Sequence, residues 1–332
     1  MTRILRAIMA SSLVLLTLVL ILELSIKMYP PLFPLGLSLT EKNPLCSPSE
    51  AFRGAQVHCS ILDQASSETF EVTSVRVDNG LQYVETLVGN WWIPEGDEQF
   101  LPDLLSQQQN GIYGDGETAV QQGDVVLDCG AHIGLFTREA LDLGASIVVA
   151  IEISPPNIEC LKRNFEEEIQ SGRVIVYPKG VWHKDDLLTL YSSNRNSAGD
   201  SVVITEMRSA VETQVPLTTI DRIVQELELD KVDFIKMDIK GAAANALQGA
   251  RQTLLKYRPQ LAIATEEDSD HPDVVAEVVS GFQMEYSTRC GACTASPNVL
   301  SWADLARIRN DYRVYPLVLF FSPPDGRKER AL

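Results

Sequence analysis

An apolar run that ends in an acid and a glycine turn constrains the fold of this chain more than any other feature. It spans residues 125–134, in one-letter code VVLDCGAHIG, and a helical pattern follows it. A second apolar run, Ile147 to Ile151, ends in Glu152. In open α/β sheets, ligands bind at the carboxyl ends of the strands, where such turns and acids meet. The pattern therefore predicts a nucleoside site at one edge of a sheet.

From Gly123 onward, strand patterns and helix patterns alternate along the chain. In the helical segments the apolar residues recur at helical spacing, as Ile158, Leu161 and Phe165 do. Such alternation with right-handed crossovers gives a mostly parallel sheet covered on both faces by helices. We therefore predict a Rossmann-like α/β domain over residues 123–325, with a mostly parallel seven-stranded sheet. The predicted strands are 125–127, 147–151, 174–177, 232–237, 261–264, 283–288 and 317–321.

The first segment of the chain is predicted to enter a membrane. Residues 7–22 carry no charge, and counted through Ile26 the apolar stretch is about 20 residues, enough for a bilayer core. Because no small-residue cleavage site follows, residues 1–27 are predicted to be a cytoplasmic tip and an uncleaved transmembrane signal anchor. A cleaved signal peptide and a buried or interfacial helix are the alternatives. Arg3 and Arg6 favour a cytoplasmic N-terminus, which predicts a lumenal (Golgi or ER) or otherwise extracytoplasmic large domain.

Two further segments precede the α/β domain. Residues 28–50 are rich in proline, leucine and serine and are predicted to be a stalk. Residues 51–122 form a predicted N-terminal extension, in which Asn79-Gly80 lies between two β-prone runs and indicates a hairpin. The aromatic residues Trp91, Trp92 and Tyr113 either line a substrate groove or pack between the extension and the domain.

Charge and cysteine content limit the classes of partner and of metal site. The 332-residue chain has a formal net charge of −17, which disfavours nucleic acid as a partner because the phosphate backbone would be repelled. Of the six cysteines, Cys129 and Cys160 are predicted to be small buried hydrophobes. The other four allow two disulfides, a four-thiolate zinc site or free thiols. They are Cys46, Cys59, Cys290 and Cys293. No metal cluster is predicted in the α/β domain.

The residues of the glycine turn indicate which nucleoside is bound. Gly130 and Gly134 let the backbone approach a ligand closely, and the oxygens of Glu152 can accept hydrogen bonds from ribose hydroxyls. A dinucleotide fingerprint would read G-x-G-x-x-G, but His132 stands at its second glycine. A ligand without a pyrophosphate is therefore favoured, and S-adenosylmethionine fits this pattern.

The chain from Val125 to Glu267 is similar to the methyltransferase domain of the FkbM family, a class I S-adenosylmethionine-dependent group. The segments that carry the resemblance are 126–134, 150–152, 215–221, 233–242 and 258–261. The resemblance implies a class I methyltransferase fold with S-adenosylmethionine as its cofactor. It also implies O-methylation of a hydroxyl on a glycan or a small metabolite. The cofactor contacts that it implies are Asp128, Gly130, His132, Gly134 and Glu152.

The chain departs from the family pattern at two positions. The family usually has asparagine where this chain has His132, and it usually has an acid where this chain has Lys240. The second change reverses a charge after strand 232–237, on the rim where acceptor and methyl group meet. It predicts either altered or lost activity, or an anionic acceptor such as a uronic acid.

Three residues are candidates for catalysis. Asp238 is the first candidate for the general base that a hydroxyl acceptor needs, Glu266 is the next, and Lys240 shares the same rim. Two functions are therefore predicted. The first is a membrane-anchored S-adenosylmethionine-dependent O-methyltransferase; the alternative is a degenerate methyltransferase-fold binding protein without turnover.

Overall fold

The computed structural model describes residues 25, 29–39, 45–67, 70–193, 196–201, 210–265, 271–296 and 313–324. Within these residues, no helix combines the length and the apolar character needed to cross a bilayer. The predicted membrane anchor lies outside them except for Ser25. Glu266, one of the candidate catalytic residues, also lies outside them.

The N-terminal part of the chain contains three α-helices and a small antiparallel sheet. Its elements are α1 (Leu32–Ser38), α2 (Pro48–Ala65), β1 (Thr73–Asp78), β2 (Leu81–Thr86), β3 (Gly89–Pro94), α3 (Leu101–Gln109) and a 3₁₀ turn (Gly116–Thr118). Helix α2 begins at a capping box, in which the side chains of Ser47 and Glu50 bond to each other's backbone amides. Strands β1 and β2 pair across Asn79 and Gly80, both at positive φ, which confirms the predicted hairpin.

Residues 28–50, predicted as a stalk, differ from that prediction where the structure describes them. Helix α1 packs against α2, and a disulfide joins Cys46 to Cys290. Leu37 and Leu45 pack against the buried core of the α/β domain. The segment lies on the domain because its apolar side chains can be buried there, which favours the folded state.

The larger part of the chain is an α/β domain. Its first half contains β4 (Val125–Cys129), α4 (Leu135–Asp142), β5 (Ile147–Ile151), α5 (Pro155–Asn164), α6 (Glu166–Gln170), β6 (Val174–Tyr177), β7 (Gly180–Val181), β8 (Asp186–Ser193), β9 (Asn196–Ser201) and β10 (Ala210–Thr218). Its second half contains α7 (Ile220–Glu226), β11 (Phe234–Met237), α8 (Ala243–Gln248), α9 (Arg251–Tyr257), β12 (Gln260–Ala264), α10 (Pro272–Gly281), β13 (Ser287–Cys290), β14 (Cys293–Ser296), β15 (Arg313–Pro316) and β16 (Val318–Ser322). Along β4, Val126 and Leu127 pack in different core clusters, so apolar side chains cover both faces of the sheet.

The central sheet has seven strands in the order β13-β16-β12-β11-β4-β5-β6. The pairs from β12 to β6 are parallel. Strand β16 runs antiparallel to both of its neighbours, β12 and β13. The fold is therefore the predicted Rossmann-like α/β fold, with a mixed sheet. Because parallel strands end at the same edge, the residues that follow β4, β5 and β11 meet there.

A second sheet interrupts the α/β alternation, with the order β7-β10-β8-β9. The sequence predicts a β-prone segment at 187–191 and a polar loop at 192–201, but the loop region contains β9, which pairs antiparallel with β8. The residues of β9 are mostly polar and do not alternate with apolar ones, so nothing in the sequence predicts a strand there. Pairing with β8 satisfies backbone groups that a loop would have to leave to water.

Candidate active site

A cavity lies at the carboxyl ends of β4, β5 and β11, where the sequence predicts the nucleoside site. It encloses about 940 Å³, part of it open to solvent. The predicted site residues that line it are Gly130, His132, Glu152, Asp238 and Lys240. The structure thus brings three of the five predicted cofactor residues and two of the three candidate catalytic residues to one cavity.

The turn after β4 requires glycine at position 130. Gly130 has a φ of +80°, and a Cβ at this residue would lie 2.0 Å from the backbone oxygen of Asp238. The amides of Gly130 and Ala131 both donate to the carbonyl of Ile151, at 3.0 Å each. A side chain would therefore push apart the two strand ends that form the floor of the cavity.

Gly134 lies at the far end of the same turn and does not line the cavity. It is the left-handed N-cap of α4, with a φ of +99°. A Cβ there would lie 2.1 Å from the ring of Phe165. Gly134 therefore lets α4 start close to the end of α5, on the side of the turn that faces away from the cavity.

Asp128 is fully buried and lies beneath the turn. Its Oδ2 accepts a hydrogen bond from Thr137 Oγ1 at 2.7 Å, and its Oδ1 lies 3.0 Å from Lys236 Nζ. Lys236 also donates to the carbonyl of Gly130 at 2.7 Å. The sequence analysis missed Lys236, although a lysine inside the apolar strand β11 was a signal that it pairs with a buried acid.

Glu152 is held at the end of β5 by backbone amides. Its Oε2 accepts from the amide of His132 at 2.7 Å. Its Oε1 accepts from the amides of Ile153 and Ser154 at 2.7 and 2.9 Å. These bonds fix the carboxylate at the rim of the cavity.

His132 occupies the middle of the turn, at a φ of +54°. Its Nε2 lies 2.8 Å from the hydroxyl of Ser197 on β9. Burial lowers the pKa of His132 to about 4, and the positive charge of Lys236 acts in the same direction. The imidazole is therefore neutral at neutral pH.

One rim of the cavity is formed by Asp238, Lys240 and Tyr113. Lys240 Nζ lies 2.8 Å from Asp238 Oδ1, and the hydroxyl of Tyr113 donates to Asp238 Oδ2 at 2.8 Å. Burial alone would raise the pKa of Asp238. The charges of Lys240 and Lys236, together with the hydrogen bonds from Lys240 and Tyr113, hold that pKa well below its usual range.

The three aromatic residues of the extension have different surroundings. Tyr113 lines the cavity and meets the ring of Phe136 edge-on, with ring centroids 5.5 Å apart. Trp91 and Trp92 are 7% and 8% exposed and belong to the buried core. Asn164 bonds to both the amide and the carbonyl of Trp92. All three are therefore packed in the core, and Tyr113 in addition lines the cavity.

Of the four cysteines for which the sequence left alternatives open, two form a disulfide. It joins Cys46 and Cys290, while Cys59 and Cys293 are free thiols. In the part of the chain that the structure describes, no group of three or more His, Cys, Asp or Glu side chains could hold a metal ion. None of the three alternatives that the sequence left open holds for all four cysteines, because two of them form a disulfide and the other two stay free.

Comparison with known proteins gives one match to a protein family. Residues 128–291 match the model of the methyltransferase FkbM domain. A search of curated proteins by sequence finds no match. The matched range begins at Asp128, directly before the glycine turn, and ends just after β13.

Several solved structures resemble the chain at low identity. The methyltransferase FkbM from Methylobacillus flagellatus KT is 15% identical, with a TM-score of 0.40 and coverage of 82% of this chain and 60% of that one. The M. jannaschii tRNA m1G37 methyltransferase is 14% identical, with a TM-score of 0.37 and coverage of 75% and 56%. The O-methyltransferase from Bacillus cereus in complex with SAH is 12% identical, with a TM-score of 0.33 and coverage of 60% and 73%. The family assignment rests on the family model.

Proposed function

Residues 128–291 are a methyltransferase FkbM domain, the domain of an S-adenosylmethionine-dependent methyltransferase, and on that premise we propose that the chain methylates a hydroxyl oxygen of a glycan or a small metabolite. One observation carries the proposal. A single cavity is lined both by the turn and acid of a nucleoside site, Gly130 and Glu152, and by the polar rim of Asp238 and Lys240. A bound cofactor and its acceptor would therefore meet inside it.

The residues of the cavity fit an adenosyl cofactor. Gly130 lets the turn after β4 pack against the backbone of Asp238, and Glu152 offers a carboxylate to the ribose. Asn157 lines the same cavity, and its Oδ1 is buried without a hydrogen-bond partner among the described residues. A buried acceptor of this kind is satisfied by a ligand that brings a donor. We propose that Gly130, His132 and Glu152 contact the cofactor, and that Asp128 and Gly134 hold the turn.

When bound, S-adenosylmethionine supplies a methyl group on a positively charged sulfur. Asp238 would orient the acceptor hydroxyl towards it, because positioning gives much of the rate in such transfers. With its pKa well below the usual range, Asp238 stays ionised and is a weak base. It would therefore act mainly by stabilising the positive charge on the acceptor oxygen during the transfer, and the proton of the hydroxyl would pass to water at the open side of the cavity. Tyr113 and Lys240 hold both oxygens of the carboxylate in place.

The proposal is tested by labelled-methyl transfer with the full-length chain. Methyl-labelled S-adenosylmethionine is incubated with neutral sugars, polyols, uronic acids and, as a separate arm, transfer RNA. We expect label in a methyl ether of a sugar or polyol, and preferred labelling of uronic acids would assign Lys240 to the acceptor's carboxylate. Label in the RNA, or in none of these acceptors, would overturn O-methylation of a glycan or metabolite.

One observation favours the second candidate, a binding protein without turnover. The family usually has an acid at position 240, whereas here Lys240 Nζ lies 2.8 Å from Asp238 Oδ1. If the ion pair blocks the acceptor, the cofactor binds but no methyl group is transferred. Lys240→Glu then restores transfer. If the wild-type chain transfers label, this second candidate is wrong.

We also propose that residues 7–26 anchor the chain in a membrane, with the α/β domain in an oxidising compartment. The stretch supports the anchor because residues 7–22 carry no charge and Glu23 is the only charged residue from there to Ile26. The disulfide between Cys46 and Cys290 supports the compartment, because disulfides persist outside the reducing cytosol. A membrane-impermeant maleimide, applied to each face of sealed vesicles after reduction, tests both. Labelling of these cysteines from the cytoplasmic face would contradict the proposal.

A further inference from the structure

Three segments that are distant in sequence meet at His132. Ser197 of β9 bonds to the imidazole, and Asp97, in the loop between β3 and α3, bonds to Ser197. Asp97 and Ser197 are 100 residues apart in sequence and are 7% and 8% exposed. A polar chain buried to this extent is maintained only where its hydrogen bonds are satisfied.

The direction of the hydrogen bonds follows from the donors that are present. The hydroxyl of Ser197 donates to Asp97 Oδ2 at 2.5 Å, and its backbone amide donates to the same oxygen at 3.2 Å. A hydroxyl has one hydrogen, so Ser197 Oγ can only accept from His132. The imidazole Nε2 must therefore carry a proton.

The second nitrogen of His132 is left as an acceptor. A neutral imidazole carries one hydrogen, and here that hydrogen is on Nε2. His132 is neutral because burial and Lys236 keep its pKa at about 4. Nδ1 therefore has a free lone pair. Asp97 and Ser197 determine which of the two tautomers is present.

Much of the acceptor capacity of the turn is already used within the protein. Lys236 Nζ donates to the carbonyl of Gly130 and lies 3.0 Å from Asp128 Oδ1, and Thr137 donates to Asp128 Oδ2. An adenosyl cofactor has an ammonium group on its amino-acid end, and this group requires acceptors. His132 lies on the turn and lines the cavity, as Gly130 does.

We propose that Asp97 and Ser197 are positioning residues, which hold His132 as the Nε2-protonated tautomer so that Nδ1 accepts from the ammonium group of the bound cofactor. The inference rests on the proposed S-adenosylmethionine site. It adds two residues from outside the glycine turn, so that the N-terminal extension and β9 take part in cofactor recognition.

The tautomer is measured by NMR on the full-length chain with ¹⁵N-labelled histidine. The chain has only four histidines, and the spectrum of His132→Asn assigns the signal. Two-bond ¹H–¹⁵N correlations distinguish the tautomers without any ligand. We expect Nε2–H in the wild type, and a shift towards Nδ1–H in Ser197→Ala. An Nδ1–H signal in the wild type overturns the inference.

Binding is measured by calorimetry with two probes. S-adenosylhomocysteine has the ammonium group, and 5′-methylthioadenosine lacks the whole amino-acid end. We expect Ser197→Ala to weaken the first by about tenfold and to leave the second unchanged. Ser197→Thr keeps the hydroxyl and should restore binding. Glu98→Gln, which removes an exposed carboxylate next to Asp97, is the matched control and should bind as the wild type does.

The outcomes separate this inference from the proposed function. If the wild type binds neither probe, the proposed cofactor site fails. If the wild type binds both probes and Ser197→Ala weakens the binding of both equally, Ser197 only supports the fold. The inference then fails, while the proposed cofactor site stands. An unchanged affinity of Ser197→Ala for both probes contradicts it as well.

Discussion

Two lysine–aspartate pairs lie next to each other in the site and differ in burial. The side chains of Lys236 and Asp128 are 4% and 0% exposed, whereas those of Lys240 and Asp238 are 19% and 24% exposed. Breaking a fully buried pair leaves an uncompensated charge, but a partly exposed pair can exchange partners at low cost. The first pair therefore stabilises the turn that receives the cofactor, and the second is available to an acceptor.

Replacing each lysine by methionine should distinguish the two pairs most clearly by the stability that is lost. Lys236→Met leaves Asp128 buried with only Thr137 as its partner, and we expect a loss of about 3–5 kcal/mol in the free energy of unfolding. Lys240→Met should cost less than Lys236→Met because its pair is partly exposed, and it should also change methyl transfer. Urea denaturation of the full-length variants measures both. Equal losses would show that the two pairs have the same role.

Two glycines at positive φ test the cofactor side with a matched control. Gly130 and Gly172 have φ values of +80° and +75°, but a Cβ would meet other atoms only at Gly130. Gly172→Ala should cost about 1–2 kcal/mol for its backbone conformation alone. Gly130→Ala should cost more, and it should also abolish binding of S-adenosylhomocysteine in calorimetry. Retained binding by Gly130→Ala would contradict the close packing of this turn.

Tyr113→Phe tests the acceptor side with a smaller effect. The variant loses one hydrogen bond to Asp238, so its free energy of unfolding should fall by about 1 kcal/mol. The low pKa of Asp238 stabilises the folded chain above the carboxyl's unfolded pKa, and that contribution is lost as pH falls. Tyr113→Phe should raise this pKa and reduce the contribution at neutral pH.

Kinetics separate Tyr113 from the cofactor half of the site. We expect Tyr113→Phe to lower kcat by about tenfold through the less well oriented carboxylate, with cofactor affinity unchanged. Weakened binding of S-adenosylhomocysteine, with kcat retained, would place Tyr113 on the cofactor instead. Tyr83→Phe, outside the cavity, is the control.

The cofactor half of the site could be predicted from the sequence because its parts are local. The run from Val125 to Gly134 contains the strand, the bend and the start of the next helix, and Glu152 ends the following strand. The match of the family model confirms the predicted methyltransferase domain and, with it, the cofactor. Because the carboxyl ends of parallel strands lie at the same edge of a sheet, the sequence also predicts that these two segments meet.

In either half of the site, the contacts that join distant segments could not be predicted in the same way. Tyr113 and Asp238 are 125 residues apart, and no periodicity of either segment predicts that they meet. Ser197 lies in a polar stretch without a strand pattern, and its bond to His132 exists only because β9 pairs with β8. Such contacts depend on how an extension and an insertion pack on the domain.

Calorimetric titration of the full-length chain with S-adenosylhomocysteine, in the wild type and in Glu152→Ala, tests the central claim most directly. Glu152 receives three backbone amides at the end of β5, and its carboxylate is the proposed ribose contact. We predict saturable binding by the wild type and loss of that binding in Glu152→Ala. No binding by the wild type, or the same affinity in both chains, would contradict the assignment of this cavity to the cofactor.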